Sequence, residues 1–382
     1  FCRSFNSLSE QHGFKFKGNK IIMKKILICV GTRPNFIKVT RFKKLASKYN
    51  LEIKLLHTGQ HFDYLMSKVF FDELDLEKPD IFLNAKGDSQ IEMMADIMVK
   101  FEKELKIHSP DIVLVPGDVN SSLACAIATS RNGTLLGHIE SGLRSMDRSM
   151  PEEINRILID DLSDLFFVTE ESGIRHLKNE NKKEENIYFV GNTMIDSLVN
   201  FKSVIEKSEI VIKLNCPKDF GLMTFHRPSN VDNLETLKEL VDTISKCCSY
   251  LTMVFPIHPR TKKSLIKNNL WKSVESIDGL IITESLGYLD FMNLVTQSKI
   301  VITDSGGIQE ETCYLQIPCL TVRENTERPI TIDMGTNELI ELNSSKIYER
   351  FIRKLKDIVE GRVPELWDGH STERILDVIS KK

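Results

Sequence analysis

The sequence predicts an α/β protein whose chain forms two doubly wound parallel sheets. Short apolar runs that end in turn residues alternate with stretches of helical spacing, which is the pattern of a parallel α/β fold. The pattern begins at Ile26 and starts again after Phe220, and 382 residues exceed one comfortable hydrophobic core. We therefore expect a first domain at residues 23–190 and a second at 191–367, with residues 368–382 packing back on the first.

Composition and charge exclude several classes of protein. Hydrophobic residues make up 41% and charged residues 27%, and the net charge of −3 provides no basic surface for nucleic acid or for an anionic membrane. No apolar run has the length of a membrane span. The eight cysteines lack zinc or C-x-x-C spacing, so we expect free thiols, no metal and a cytoplasmic location. Residues 1–22 lack a signal-peptide pattern, and we expect a non-native or disordered extension before a natural start at Met23.

The first predicted strand and helix form a candidate anion site. The strand Ile26–Val30 is broken by the turn GTRP, and residues 36–49 then have helical spacing. Arg33 and Lys38 lie near the amino end of the helix, where free backbone N–H groups favour an anion. The alternative for Lys38 is a solvated helix lysine.

A second strand, Glu52–His57, ends in a polar turn that contains His61. A histidine at the carboxyl edge of a sheet is a candidate ligand contact, although a lone loop histidine is more often incidental. Helical spacing follows at residues 64–72 and 89–105.

Two acids end neighbouring strands in the central part of the chain. The apolar run Ile112–Val115 stops at a Pro-Gly-Asp turn, so Asp118 lies at its carboxyl end. A helix is predicted at residues 123–129, and the strand Leu135–Ile139 ends at Glu140. Ligands of open parallel sheets bind beyond the carboxyl ends of the strands, so both carboxylates are expected to face one cleft. The alternative is that Asp118 only caps the next helix.

A third acid follows at the start of a helix that a proline introduces. Glu152 and Glu153 fall in its first turn, where the helix dipole favours acids regardless of function. The helix dipole is a strong explanation for one of these two glutamates. Three acids together with Arg144, Arg148 and Arg156 predict proton transfer beside an anionic ligand.

The strand pattern continues into the second half of the chain. Further strands are predicted at residues 165–169, 187–190, 221–225, 253–257 and 300–303. Two of them end at histidines, His226 and His258. We expect His226, beside Arg227, to be an active-site residue and His258, which precedes a proline, to be structural.

The strand at residues 300–303 runs into a glycine-rich turn. Ser305, Gly306 and Gly307 precede a helix, and two glycines there allow close approach of a ligand to the free N–H groups of the helix start. This pattern suits a diphosphate; a plain glycine-rich turn is the alternative. Arg323 and Arg328 add positive charge to the same edge. No Walker sequence and no G-x-G-x-x-G follows any strand, which argues against ATP hydrolysis and a bound dinucleotide.

Eight motifs in register resemble the non-hydrolysing UDP-N-acetylglucosamine 2-epimerase family from about Met23 to the end of the chain. They are GTRPNFIK (31–38), TGQH (58–61), PGDVNSS (116–122), HIESGLRS (138–145), MPEEINR (150–156), FHRPSN (225–230), DSGGIQEE (304–311) and TERP (326–329). The resemblance implies the GT-B architecture, in which two Rossmann-like domains face each other across a cleft. It also implies a homodimer, a UDP-sugar substrate and no cofactor.

The resemblance implies roles for single residues as well. The essential acids and the active-site histidine would be Asp118, Glu140, Glu152 and His226. The substrate contacts would be Arg33 and Lys38 near the sugar and diphosphate, Ser305, Gly306, Gly307 and Arg328 around the diphosphate, Glu311 at the ribose and Phe291 at the uracil. His61 and Arg156 complete the substrate-binding candidates.

The expected chemistry is reversible inversion at C2, which interconverts UDP-GlcNAc and UDP-ManNAc. The C2 proton is weakly acidic, so the path is elimination of UDP to 2-acetamidoglucal and re-addition, with acid/base groups on both faces and a cationic cradle for the diphosphate. Departures from the best-studied branch, at Asn35, Val119-Asn120 and Pro228-Ser229, leave open a related substrate such as a UDP-diacetamido-uronic acid. A hydrolysing epimerase and a GT-B glycosyltransferase are further alternatives.

Overall fold

A computed structural model describes residues 23–59, 74, 77–357 and 360–382. The predicted α/β class is confirmed, because the strands form two all-parallel sheets joined by helices. The first sheet has seven strands in the order 3-2-1-4-5-6-7. They are β1 (Lys24–Val30), β2 (Leu51–His57), β3 (Ile81–Phe82), β4 (Ile112–Pro116), β5 (Leu135–Ser141), β6 (Leu165–Val168) and β7 (Ile187–Phe189).

The second sheet has six strands in the order 10-9-8-11-12-13. They are β8 (Gly221–Thr224), β9 (Met253–Pro256), β10 (Leu280–Thr283), β11 (Val301–Thr303), β12 (Cys319–Val322) and β13 (Asn337–Ile340). In each sheet the order reverses beside the first strand, and such switch points are where parallel α/β sheets bind ligands.

The described helices lie between the strands and after the last one. In the first half they are α1 (Arg33–Val39), α2 (Phe42–Ala46), α3 (Gln90–His108), α4 (Asn120–Asn132), α5 (Pro151–Leu162), α6 (Glu171–Asn179), α7 (Thr193–Ile205) and α8 (Ile210–Lys213). In the second half they are α9 (Pro228–Val231), α10 (Leu234–Cys248), α11 (Pro259–Lys267), α12 (Trp271–Glu275), α13 (Tyr288–Gln297), α14 (Gly306–Leu315), α15 (Ile330–Asp333), α16 (Ser344–Lys356) and α17 (Ser371–Lys381).

The central strands are buried on both faces, as their continuous apolar sequences predict. Every residue of β4 is buried, and its register with β5 pairs Pro116 with Ile139. Because the strands are parallel and in this register, the turns after β4 and β5 emerge side by side. The sheet thereby brings together the segments that carry Asp118 and Glu140.

Several predicted elements differ from those observed. The helix expected at residues 36–49 begins earlier, at Arg33, and is broken into α1, α2 and a 3-10 turn at Ser47–Tyr49. Thr32 and Asn35 form a capping box that starts it. The predictions for residues 1–22 and the helix at 64–72 lie outside the described residues.

The C-terminal segment contacts the first half of the chain. The indole Nε1 of Trp367 donates to the Thr169 carbonyl at 2.9 Å, and Asp196 on α7 accepts from the Ser371 backbone N–H at 2.9 Å and the Thr372 hydroxyl at 2.6 Å. These bonds dock the start of α17 on α7, which follows the proposed domain boundary. The division at residue 190 itself stays a prediction.

Candidate active site

A cleft of about 340 Å³ lies between the carboxyl edges of the two sheets. Both halves of the chain line it, which is the arrangement that the strand-end residues predict. Its lining includes Arg33, Met194, His226, His258, Tyr288, Phe291, Ser305, Gly307 and Glu311. Arg33 also donates to the Leu286 carbonyl at 3.2 Å, a contact between the two halves.

Asp118 lies just after β4 and is held by a cation. Its Oδ2 accepts from Nε of Arg156 at 2.8 Å, and Val119, not Asp118, is the N-cap of α4. The interpretation of Asp118 as a helix cap is therefore wrong. Although burial opposes its ionisation, Arg156 and Lys38 hold the pKa of Asp118 below its ordinary value. The geometry gives an ionised carboxylate that is 25% exposed at the carboxyl edge of the first sheet.

Glu140 ends β5 at a bulge, where the register with β6 shifts. Its φ of 71° lies in the left-handed region, which a glutamate rarely adopts without support from its surroundings. The side chain is 3% exposed and pairs with the ammonium of Lys38, which is itself only 8% exposed. The alternative of a solvated Lys38 is therefore wrong. Gly117 packs against this pair, since an added Cβ would come within 2.9 Å of Lys38 Nζ.

The first turn of α5 separates two acids with different surroundings. Glu153 is buried and accepts from the backbone N–H groups of Ser145 and Met146 at 2.9 and 3.0 Å, so it holds the preceding loop. Glu152 is exposed, and its charge acts on Arg227 in the second half of the chain. The structural explanation thus belongs to Glu153, and Glu152 remains the candidate acid.

The three arginines of this stretch do not act together. Arg156 is buried and contacts both Asp118 and Glu153. Arg144 instead pairs with Asp160 and Glu180, at 2.8 and 2.7 Å. Arg148 is exposed. The prediction that all three flank an anionic ligand is not supported for Arg144, whose guanidinium is occupied inside the first half of the fold.

His226 follows β8 and is oriented by a buried carboxylate. Its Nδ1 lies 2.8 Å from Asp304 Oδ1, and Asp304 also accepts from the backbone N–H groups of His226 and Arg227. Because Nδ1 is engaged, Nε2 is the ring nitrogen available to a ligand in the cleft. The side chain is 40% exposed. His258 caps α11 through its ring and also lines the cleft, 5.4 Å from the His226 ring.

The glycine-rich turn after β11 has the geometry of a helix start at the cleft. Ser305 is the N-cap of α14, and its backbone N–H donates to Thr303 Oγ1 at 3.0 Å. A Cβ added at Gly306 would lie 2.9 Å from Nη1 of Arg328 and 3.0 Å from Glu327. The glycine is thus needed for close approach of Arg328, in addition to any room that a ligand requires.

Arg328 joins the two halves of the site. Its Nε lies 2.8 Å from Glu310 Oε1, its Nη1 contacts Glu327, and its Nη2 lies 3.5 Å from Glu140 Oε1. Glu310 also accepts from the Asn192 side-chain amide at 2.9 Å. Asn192 is the N-cap of α7, which follows the last strand of the first sheet. The network therefore connects the segment between the two sheets to Glu140 at the end of β5.

Glu311 is buried beside the cleft, next to Tyr288. Burial raises the pKa of Glu311 to about 8, which the interaction with the Tyr288 hydroxyl opposes. Its Oε1 has no hydrogen-bond partner within the described part of the chain. Phe291 is half-buried on the same wall of the cleft, one turn along α13.

Sequence reasoning missed four site residues, namely Asn192, Asp304, Glu310 and Glu327. Asp304 orients His226, Glu310 and Glu327 hold Arg328, and Asn192 donates to Glu310. For Asp304, Glu310 and Glu327 the available signal was their position within the motifs DSGGIQEE and TERP. His61 lies outside the described residues. Among the described residues no group of three or more metal-ligating side chains occurs, and no helix there is long and apolar enough to cross a membrane.

Comparison with known proteins finds a matching family model and relatives that are similar over almost the whole chain. A family model described as UDP-N-acetylglucosamine 2-epimerase matches residues 43–380. A relative of that name from Methanococcus maripaludis is 39% identical over 94% of this chain and 98% of its own. A crystal structure of Methanocaldococcus jannaschii UDP-GlcNAc 2-epimerase in complex with UDP-GlcNAc and UDP has a TM-score of 0.88 at 38% identity, covering 94% of this chain and all of that one. A UDP-2,3-diacetamido-2,3-dideoxy-D-glucuronate 2-epimerase from Pseudomonas aeruginosa is 35% identical over 94% of this chain and 99% of its own.

Proposed function

The chain belongs to the UDP-N-acetylglucosamine 2-epimerase family, and from that premise we propose that it is a non-hydrolysing epimerase interconverting UDP-GlcNAc and UDP-ManNAc. The observation that carries the proposal is the meeting of two kinds of group between the two sheets. Glu140 at the end of β5 lies 3.5 Å from Arg328, which packs against the glycine-rich helix start, and the charge of Arg328 also acts on Asp118 after β4. The relatives at 38–39% identity favour UDP-GlcNAc over the diacetamido-uronic acid of the relative at 35%.

The diphosphate would bind between the helix start at Gly306 and the guanidinium of Arg328. Free N–H groups and a fixed cation stabilise the negative charge that collects on UDP as the C1–O bond breaks. Arg328 is pre-oriented by Glu310 and Glu327. This cradle would lower the barrier to departure of UDP without any metal.

Proton removal from C2 would fall to Asp118, Glu140 or Glu152. Asp118 is ionised beside Arg156, which suits a base, and the ammonium of Lys38 pairs with Glu140. His226, oriented by Asp304, would present Nε2 to the substrate. Loss of the C2 proton with departure of UDP gives 2-acetamidoglucal, and return of a proton to the opposite face before UDP re-adds gives the epimer. The group that removes the C2 proton ends the cycle protonated and the group that returns a proton ends it ionised, so proton exchange with solvent restores both before the next turnover.

Closure of the cleft would separate this reaction from hydrolysis. Water admitted to the glycal would release free N-acetylmannosamine and UDP, whereas an enclosed glycal can only re-add UDP. The homodimer implied by the resemblance is part of the proposal, and so is the cytoplasmic location.

The proposed activity is tested by incubating the protein with UDP-GlcNAc and following the products by NMR. We expect an equilibrium mixture of UDP-GlcNAc and UDP-ManNAc, reached from either side. Accumulation of free N-acetylmannosamine with stoichiometric UDP would instead identify a hydrolysing enzyme. If UDP-GlcNAc is unchanged while a UDP-diacetamido-uronic acid is epimerised, the substrate assignment is wrong.

A further inference from the structure

His138, in the middle of β5, is fully buried at 0% exposure and has a hydrogen-bond partner on each ring nitrogen. Its Nδ1 lies 2.6 Å from Oδ1 of Asp160 on α5. Its Nε2 lies 3.1 Å from the carbonyl oxygen of Gly117, in the turn after β4. The ring thus bridges an adjacent helix and an adjacent strand end.

Both partners of the His138 ring accept hydrogen bonds. A backbone carbonyl has no hydrogen to donate, so Nε2 must be the donor to Gly117. Asp160 also pairs with the guanidinium of Arg144 at 2.8 Å, which favours its carboxylate form, so Nδ1 must donate as well. A ring with two donors is an imidazolium. The carboxylate of Asp160 compensates its charge inside the fold.

The His138–Asp160 pair contacts all three segments that carry the candidate acids. Gly117 immediately precedes Asp118. The other oxygen of Asp160 accepts from the Gly142 backbone N–H at 3.0 Å, two residues after Glu140. Asp160 itself belongs to α5, the helix that begins with Glu152 and carries Arg156.

The backbone N–H and the carbonyl of Gly117 both form hydrogen bonds to residues of β5. Its N–H donates to the Ile139 carbonyl at 2.9 Å, and its carbonyl accepts from His138. Its φ of 63° is left-handed, so the turn depends on these bonds to set the direction in which Asp118 leaves the sheet.

We propose that His138 is a positioning residue, a buried imidazolium that with Asp160 fixes the turns carrying Asp118 and Glu140 relative to α5. The inference rests on the proposed function for its kinetic consequence, but not for its protonation state. The ring is fully buried and both of its nitrogens are engaged, so it acts through the residues that it holds. A displacement of the acids by about 1 Å is expected to cost up to roughly 100-fold in rate.

Two substitutions each keep one of the two ring hydrogen bonds of His138 and remove the other. In His138→Asn the side-chain amide replaces Nδ1 toward Asp160 and the bond to Gly117 is lost. In His138→Gln the amide reaches the position of Nε2 and keeps the bond to Gly117. We expect kcat for epimerisation to fall roughly 10- to 100-fold in His138→Asn and less in His138→Gln, with the Kd for UDP within about twofold of wild type in both.

The matched control is His108→Gln, on the surface of α3, where His108 pairs with Glu104 at 3.2 Å. It should leave kcat unchanged. Equal kcat for His138→Asn and wild type would overturn the positioning role while leaving the proposed function intact. A fall in UDP affinity parallel to the fall in kcat would mean general damage and would overturn it too.

The protonation state is tested without catalysis, by NMR of the wild type labelled with ¹⁵N-histidine. We expect one histidine, absent from the His138→Gln spectrum, with protons on both ring nitrogens and slow exchange with solvent. A neutral ring at this position would contradict the inference whether or not the protein epimerises UDP-GlcNAc. Should no His138 variant fold, the doubly protonated, exchange-protected signal in the wild type remains the deciding observation.

Discussion

Asp118 and Glu311 are both carboxyl groups of the proposed site, but their surroundings shift their pKa values in opposite directions. Burial opposes ionisation of both, yet Arg156 and Lys38 keep the pKa of Asp118 low. Glu311 has no such cation, and burial raises its pKa to about 8. At neutral pH the first is therefore ionised and the second is protonated, so they suit different tasks.

Replacing Asp118 by Asn tests its role as an acid/base group. The substitution keeps the shape of the side chain and removes the titrating group, so kcat should fall roughly 10²- to 10⁴-fold. The Kd for UDP should change little, because the proposed diphosphate cradle lies on the second sheet. Asp161→Asn, an exposed change on α5, should leave kcat unchanged. Turnover of Asp118→Asn within a few-fold of wild type would refute the assignment.

Replacing Glu311 by Gln tests the raised pKa through stability. A carboxyl group whose pKa is raised in the folded state stabilises the protein fully below its unfolded pKa, and this contribution is lost as the pH rises through about 8. The free energy of unfolding of the wild type should therefore decline relative to Glu311→Gln between about pH 4.5 and 8, by at most about 1.4 kcal/mol per pH unit. Denaturant titrations without UDP measure this difference, and parallel curves would show that the pKa is not raised.

For single residues, the sequence indicates which side chains can take part in the chemistry, but not which neighbours fix their positions. The strand-end rule located Asp118, Glu140 and His226, because parallel strands send their carboxyl ends to one edge. It had no means of choosing between Glu152 and Glu153, which differ only in the direction that each leaves α5. Asp304 and Glu310 act through contacts made across the fold, and spacing along the chain does not reveal these.

The start of α14 is the element on which the proposed diphosphate site depends. Any side chain at Gly306 meets Arg328, which three carboxylates hold in place, so it cannot move without breaking ion pairs. We expect Gly306→Ala to weaken UDP binding roughly tenfold by calorimetry, the loss of about one charge-assisted hydrogen bond.

A second glycine provides the contrast for Gly306. At Gly221, in β8, an added Cβ would meet the Met253 sulphur at 2.5 Å in the core of the second sheet. Gly221→Ala should lower the thermal midpoint but leave the Kd for UDP of the folded protein unchanged. Equal UDP affinity for Gly306→Ala and wild type would show that the start of α14 is not part of the proposed diphosphate site.

Among elements, long central ones were predictable and short edge ones were not. β4 is a continuous apolar run because both of its faces are buried. β3, β10 and β13 were missed, since they have two to four residues and include exposed or half-buried positions. The break between α1 and α2 was also missed, because the apolar spacing continues across it.

For the whole molecule, the C-terminal segment connects the end of the chain to the first half of the fold. Asp196 satisfies backbone donors at the start of α17, and those donors are buried. Asp196→Ala should therefore destabilise the docked helix by about 1–3 kcal/mol. Hydrogen exchange of residues 371–381 measures this loss as faster exchange.

Asp377→Ala is the matched control for Asp196, because it lies on the same helix with only an exposed ion pair to Lys381. It should leave protection unchanged. If Asp196→Ala also leaves exchange unchanged, the docking of α17 does not depend on this cap. The presence of two sheets was predictable from the repeated strand pattern. The hydrogen bonds that dock α17 are made between residues far apart in the chain, so only the structure reveals them.

The central claim is that C2 loses its proton to carboxyl groups in the cleft while UDP departs, and it is tested by epimerisation of UDP-GlcNAc in deuterated water. The proton returned to C2 comes from a group on the opposite face that has already exchanged with solvent, so it is not the proton that was removed. We expect deuterium at C2 of the UDP-ManNAc formed, and of recovered UDP-GlcNAc as equilibrium is approached. Epimerisation with no deuterium at C2 would contradict it.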